Sequence, residues 1–244
     1  MERSFGFSDT GTWTGRSGQA ELAPHEAGLV ATSLLLAAID VRTGTSPIPD
    51  DALTVGLAAG QLAEMLLTRK ITVRTGRVAP CQPPGRADEL HYAELTIIGE
   101  EARLGEHHDL ATWVDYLAQT ALGRVLTRVS RHIVGHRADA GFWPVHGLDS
   151  QAVMWAGDRL LILTGASRTL HHAISTPHDA AVVMLADVTG LLGQLSALSD
   201  RAAKTTMAAT VAGIPDQFAS VLPWLAPLTD AVAQHRARRA VRLR

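Results

Sequence analysis

DDALTVGLAAGQLAEMLL, residues 50–67, is the stretch of this sequence that most constrains the fold. Its apolar side chains recur at helical spacing and form one broad face, which is typical of a helix buried in a protein core. The members of that face are Leu53, Leu57, Gly60, Leu62, Met65 and Leu66. Asp50 and Asp51 stand at the start, where the positive end of a helix dipole favours acidic side chains. We therefore predict a buried helix of about four turns with an acidic cap.

Comparable patterns occur on both sides of this helix. Apolar residues at helical spacing predict further helices over 26–39, 89–98, 110–133, 153–165, 177–198, 201–214 and 223–240. Residues 70–78 and residues 141–145 each predict a small β-hairpin, and no succession of strands indicates a large sheet. The prediction is one mainly α-helical domain over residues 26–244, with one or two small β-hairpins. A flexible segment over residues 1–25, dense in turn formers, precedes it.

Charge, apolar runs and cysteine content exclude several classes of protein. The formal net charge of the 244 residues is −2, so the overall balance gives no reason to expect a nucleic-acid partner. The apolar runs fall far short of the roughly 20 residues that cross a bilayer, and the start does not resemble a signal peptide. The single cysteine, Cys81, cannot form an internal disulfide or a cysteine-rich zinc site. We expect a cytoplasmic protein.

The motifs of common enzyme classes do not occur in this sequence. It has no G-x-S-x-G elbow, no Walker loop, no G-x-G-x-x-G and no H-E-x-x-H, so we expect neither a cofactor nor a metal site. Histidines stand beside acids at residues 106–109 and 178–179, and such pairs can transfer protons near neutral pH. The alternative is that they are solvated loop or capping residues. Catalytic residues therefore stay unassigned.

Arg124, Arg128 and Arg131 are the first candidates for binding phosphate. They recur at intervals of four and three residues, so they would share one face of the predicted helix. That face could grip phosphate oxygens through charge-assisted hydrogen bonds. Alternatively, it is a solvated stripe opposite the buried face.

The end of the chain and the second predicted hairpin are further candidates for binding. The last ten residues carry five arginines and no acid, and these include Arg236, Arg238 and Arg239. They either contact an anionic membrane surface or keep a helix end soluble. Phe142 and Trp143 would form an exposed apolar tip on the hairpin, suited to membrane insertion or self-association.

The segments LLLAAID (34–40), DD (50–51) and GLAAGQLAEMLL (56–67) occur in an order that resembles the opening of the Golgi phosphoprotein 3 family. Looser similarity follows at Trp113-Val114, in the helix over 124–134, at Pro144 and at residues 177–181. The resemblance covers about residues 28–200 and is most specific in its first forty residues.

This resemblance implies a mainly helical fold around a central bundle and a peripheral membrane protein. Eukaryotic members of the family bind phosphatidylinositol 4-phosphate and the cytoplasmic tails of Golgi glycosyltransferases, and they self-associate through a β-hairpin. Similar proteins are common in actinobacteria. The bias of this sequence toward alanine, arginine and glycine favours a high-GC bacterial source.

The sequence departs from the family at the lipid site. Pro49 and Ala58 stand where the family has a tryptophan and an arginine, and Ala118 and Ala121 stand where it has further arginines. The nearest guanidinium to that site is Arg124. Any binding of anionic lipid would therefore use the arginines over 124–131 or those at the end of the chain.

Three hypotheses follow from the sequence. The first is a non-enzymatic adaptor that binds anionic phospholipid, a protein tail or both, and that forms homo-oligomers. The second is an enzyme of bacterial specialised metabolism, a cyclase or isomerase using histidine with aspartate or glutamate as acid and base in a helical pocket. The third is a dimerising scaffold without a small ligand. We favour the first, because it needs no catalytic residue.

Overall fold

The computed structural model describes residues 29–40, 45–81, 91–133, 150–165, 174–197 and 199–242. Within these residues the chain is mainly helical, as predicted, and contains one small sheet. The helices and strands are α1 (Val30–Ala37), α2 (Asp50–Leu67), β1 (Ile71–Arg74), β2 (Arg77–Pro80), α3 (Tyr92–Arg103), α4 (Leu110–Ala118), α5 (Ala121–Ile133), α6 (Ser150–Leu163), α7 (Pro177–Val188), α8 (Leu191–Leu195), α9 (Arg201–Phe218) and α10 (Leu225–Arg242).

Helix α2 lies at the centre of the bundle. It packs against α1, α4, α5, α7 and α10, and nearly all of its side chains between residues 52 and 66 are buried. Gly60 allows the closest approach, because a Cβ there would lie 2.9 Å from the Cα of Ala31 on α1. The predicted buried helix is therefore confirmed, and it organises the core.

The first predicted hairpin is confirmed as well. Strands β1 and β2 pair antiparallel, with Arg74 directly opposite Arg77. Thr75 and Gly76 between them both have left-handed backbones, with φ of 49° and 78°. This turn is the two-residue kind that matches the twist of a hairpin. The predicted flexible segment over 1–25 and the second hairpin over 141–145 lie outside the described residues.

Several predicted helix boundaries differ from the structure, and three of the differences have a local cause or change the number of helices. The helix predicted over 110–133 is two helices, α4 and α5, separated at Gln119 and Thr120. The helix predicted over 177–198 is interrupted at Gly190, whose φ of 83° is left-handed. Helix α9 continues through Pro215, because buried side chains on both sides of the proline keep that face against the core.

None of the helices among the described residues combines the length and the apolar character that crossing a membrane requires.

Candidate functional site

A carboxylate lies inside the helical bundle. The side chain of Glu64, on α2, is only 2% exposed. Its Oε1 accepts a hydrogen bond of 2.8 Å from the backbone N–H of Ala31 on α1. Its Oε2 lies 3.0 Å from Nη1 of Arg128 on α5 and 2.9 Å from Nε2 of His91, just before α3. Four segments of the chain therefore meet at one carboxyl group.

A second ion pair lies beside the first. Glu94 on α3 is buried and pairs with Arg124 on α5. Arg124 and Arg128 are four residues apart on α5, and His91 and Glu94 are three residues apart at the start of α3, so the two pairs are neighbours. We call the five side chains Glu64, His91, Glu94, Arg124 and Arg128 the buried charge cluster.

The environment of Glu64 keeps its carboxyl group ionised. Burial alone would raise its pKa, but the contact with Nε2 of His91, the charge of Arg128 and the Ala31 N–H together outweigh burial and lower the pKa below its usual value. Two carboxylates and two guanidinium groups then neutralise each other. Buried charges are tolerated when they are paired in this way, so the cluster can hold α1, α2, α3 and α5 in register.

Several buried polar atoms near this cluster have no hydrogen-bond partner in the part of the chain that the structure describes. Nε2 of His91 and Nη1 of Arg124 are among them, although each lies against a carboxylate. The others are both amide atoms of Gln61, one turn before Glu64, the hydroxyl oxygen of Thr32 and Nδ1 of His91. Buried polar groups usually bind a partner or an ordered water. These atoms are therefore the positions in the bundle best able to hold a further polar group.

A different group of arginines lies on the surface. Arg236 of α10 donates a hydrogen bond to the carbonyl of Val188 at the end of α7. Nη2 of Arg238 lies 3.0 Å from Oδ2 of Asp115 on α4, and Nε of Arg239 lies 3.6 Å from Oδ2 of Asp51 on α2. We call Arg236, Arg238 and Arg239 the α10 arginine group. The basic end of the chain is thus a helix docked on the body of the bundle.

The structure separates the two arginine groups that the sequence singled out. Arg128 is only 7% exposed, so the alternative of a solvated stripe is wrong for this residue. The side chains of Arg131, Phe142 and Trp143 lie outside the described part of the chain. Arg238 and Arg239 are 53% and 55% exposed, so they remain accessible to a partner.

The candidate histidines lie beside different carboxylates. Nε2 of His108 lies 3.5 Å from a carboxylate oxygen of Glu101, and Nδ1 of His178 lies 3.7 Å from one of Asp179. Neither pair belongs to the buried charge cluster. Among the described residues no group of three His, Cys, Asp or Glu side chains could hold a metal ion.

Sequence reasoning missed Glu64, His91 and Glu94. One signal was available, because Glu64 interrupts the apolar stretch of α2 and glutamate is rarely buried without a partner. A carboxylate on a predicted buried helix indicates that an arginine or histidine from another part of the chain pairs with it. The identity of those partners still depended on which helices meet in three dimensions.

Comparison with known proteins agrees with this architecture. The model of the Golgi phosphoprotein 3 (GPP34) family matches residues 30–242, from the start of α1 to the end of α10. Neither the comparison with curated proteins nor the one with solved structures gave a match. Because the family model covers nearly all of the helical bundle, this chain belongs to the Golgi phosphoprotein 3 family.

Proposed function

We propose that this protein is a peripheral, non-enzymatic adaptor that binds an anionic phospholipid surface through the α10 arginine group. The observation that carries the proposal is the exposure of Arg238 and Arg239, each more than half open to solvent. Membership of the Golgi phosphoprotein 3 family supports an adaptor role in general terms.

The energies of surface ion pairs favour an exchange of partners. Pairs such as Arg238 with Asp115 contribute about 0–1 kcal/mol, because water and salt screen them. A cation close to an anionic leaflet gains about 1 kcal/mol. Lipid phosphates can therefore replace the surface carboxylates at little cost. Arg236 has a positioning role, since its hydrogen bond to Val188 fixes α10 on α7.

Arg124, which is 32% exposed, and the buried Arg128 are not part of this membrane contact in our proposal. Arg124 and Arg128 already pair with Glu94 and Glu64, and moving Arg128 to a lipid would leave a carboxylate buried with fewer partners. Two further parts of the proposal rest on the family alone. They are the binding of a protein tail and self-association through Phe142 and Trp143.

Co-sedimentation with vesicles tests the proposal. We expect the full chain to bind vesicles of phosphatidylcholine with phosphatidylserine, and not vesicles of phosphatidylcholine alone. The double substitution Arg238→Gln with Arg239→Gln should weaken binding. The control is Arg201→Gln with Lys204→Gln, which removes two exposed cations from the first turn of α9. Equal binding of all three proteins would contradict the role of α10.

Vesicles that contain phosphatidylinositol 4-phosphate extend this experiment. Pro49 and Ala58 replace the tryptophan and arginine that the resemblance to the family places at its head-group site. We therefore expect this lipid to act through its charge. At matched total charge it should recruit the protein no better than phosphatidylserine does, and a large preference for it would instead indicate a specific head-group site.

A second candidate function is acid–base catalysis in the bundle. The observation that favours it is the contact of Glu64 with His91, beside polar atoms that have no partner in the described structure. The lowered pKa of Glu64 makes its carboxylate a weak base, so we rank this function second. Mass spectrometry of a cell extract incubated with the wild type or with His91→Gln would test it, since only an enzyme would change the extract.

A further inference from the structure

The hairpin β1–β2 and the turn before it form a basic surface segment. Residues 65–81 contain Arg69, Lys70, Arg74 and Arg77 and no acidic residue. The three arginines are exposed, and none of them takes part in a side-chain ion pair or hydrogen bond within the described structure. This differs from the α10 arginine group, where each member has an internal partner.

The register of the hairpin places two of these cations side by side. Arg74 and Arg77 are directly opposite each other in the ladder, so their side chains leave the same face. Like charges directly opposite on paired strands are destabilising. An anion between the two guanidinium groups would remove this repulsion and accept hydrogen bonds from both. The pairing therefore fits a bound phosphate group.

We propose that Arg74 and Arg77 grip phosphate groups of an anionic phospholipid surface, as a second contact beside the α10 arginine group. This inference rests on the proposed function. The surface is open, with both side chains exposed on a tight turn, so no buried wall would retain a small free phosphate. A membrane instead presents many phosphates at once, which suits two neighbouring, weakly held cations.

The hairpin and α10 both contact α4. The backbone of Arg77 forms an antiparallel bridge with that of Asp109, the residue that caps α4. The pKa of Asp109 is lowered chiefly by hydrogen bonds from Thr112, and the charges of His108 and Arg238 add to the effect. Nη2 of Arg238 lies 3.0 Å from Oδ2 of Asp115, six residues further along the chain. Both cationic contacts therefore adjoin α4, the hairpin at its start and Arg238 further along the helix.

The test compares two double variants of the full chain on vesicles of phosphatidylcholine with phosphatidylserine. Removing two cations by Arg74→Gln with Arg77→Gln should weaken binding by about 10- to 30-fold. The control Arg201→Gln with Lys204→Gln makes the same change in net charge and should alter binding by less than about threefold. The melting temperature of the hairpin variant should stay at or above that of the wild type, since a repulsion has been removed.

The outcomes separate this inference from the proposed function. If the wild type does not bind acidic vesicles, both are wrong. If it binds and the hairpin variant matches the control, the hairpin inference is wrong and the proposed function stands. Inorganic phosphate and a single-stranded oligonucleotide serve as competitors. The choice of a lipid surface would be overturned if the wild type bound either competitor tightly, and if the hairpin variant lost that binding while it still bound vesicles as the wild type does.

Discussion

Arg128 and Arg238 carry the same guanidinium group in opposite surroundings. Arg128 is 7% exposed and pairs with a carboxylate that is itself only 2% exposed, whereas Arg238 is 53% exposed and pairs with one that is 38% exposed. The first pair is shielded from water and salt, and the second is not. Exposure and partner, more than residue type, therefore decide which arginine holds the fold and which can bind a ligand.

The largest effect should come from breaking the buried pair. Arg128→Met leaves Glu64 buried with only His91 and a backbone N–H as partners, so we expect a loss of about 3–5 kcal/mol in the free energy of unfolding. Denaturant titration would measure it. The matched control is Arg103→Met, since Arg103 is 70% exposed and should cost less than about 0.5 kcal/mol.

The double variant Glu64→Gln with Arg128→Met sharpens this result. It removes both charges together, so its cost should be smaller than the sum of the two single substitutions. A cost for Arg128→Met no greater than that of the exposed control would show that the buried charge cluster does not stabilise the bundle.

Gly60→Ala should have the next largest effect, because a Cβ at this position meets the backbone of Ala31 at 2.9 Å. Separating α1 from α2 would also stretch the hydrogen bond from Ala31 to Glu64. We expect a loss of about 1–3 kcal/mol in a thermal or denaturant melt. Gly99→Ala is the control, since the space around Gly99 in α3 is open and alanine there should stabilise the helix by about 0.5–1 kcal/mol.

Acid should weaken the buried region through the protonation of Glu64. The pKa of Glu64 is lower in the folded protein than in the unfolded chain, so its ionised form stabilises the fold above the unfolded pKa of about 4.3. That contribution is lost as the pH falls toward the folded pKa. The free energy of unfolding should therefore fall less in Glu64→Gln than in the wild type when each protein is taken from neutral to acidic pH. If the free energy of unfolding fell by the same amount in both proteins, the ionisation of Glu64 would not be the cause of the acid sensitivity.

The smallest effect on stability should come from the surface pair of Arg239 with Asp51. Both side chains are substantially exposed, so Arg239→Gln should change the free energy of unfolding by less than about 1 kcal/mol. The same substitution should still reduce binding to acidic vesicles in the proposed function. If Arg239→Gln unfolded the protein and left vesicle binding unchanged, the assignment of folding to the buried charge cluster and of binding to the α10 arginine group would be wrong.

Much of the fold could be predicted from local pattern. The apolar face of α2 and the Thr75-Gly76 turn predicted a buried helix and a hairpin, because both depend on residues close in sequence. The break between α4 and α5 was missed, since neither Gln119 nor Thr120 is a strong helix breaker. Local periodicity cannot show where a helix ends when tertiary packing ends it and the sequence itself could continue as a helix.

The candidate site was only partly predictable for the same reason. Glu64 and Arg128 are 64 residues apart in sequence, and their contact follows from how α2 and α5 pack. The regular spacing of Arg124 and Arg128 correctly indicated a shared helix face, but it could not show that this face points at buried carboxylates. The cross-strand pair of Arg74 and Arg77 needed the hairpin register, which places the two cations opposite each other.

The most direct test of the central claim is the binding of the full chain to vesicles at increasing salt concentration. Raising the ionic strength from 0.01 M to 0.15 M shortens the screening length from about 30 Å to about 8 Å. If exposed arginines bind the membrane, phosphatidylserine vesicles should recruit the protein at low salt and release it progressively over this range. Binding that is equal on phosphatidylcholine, or that does not change with salt, would contradict the account.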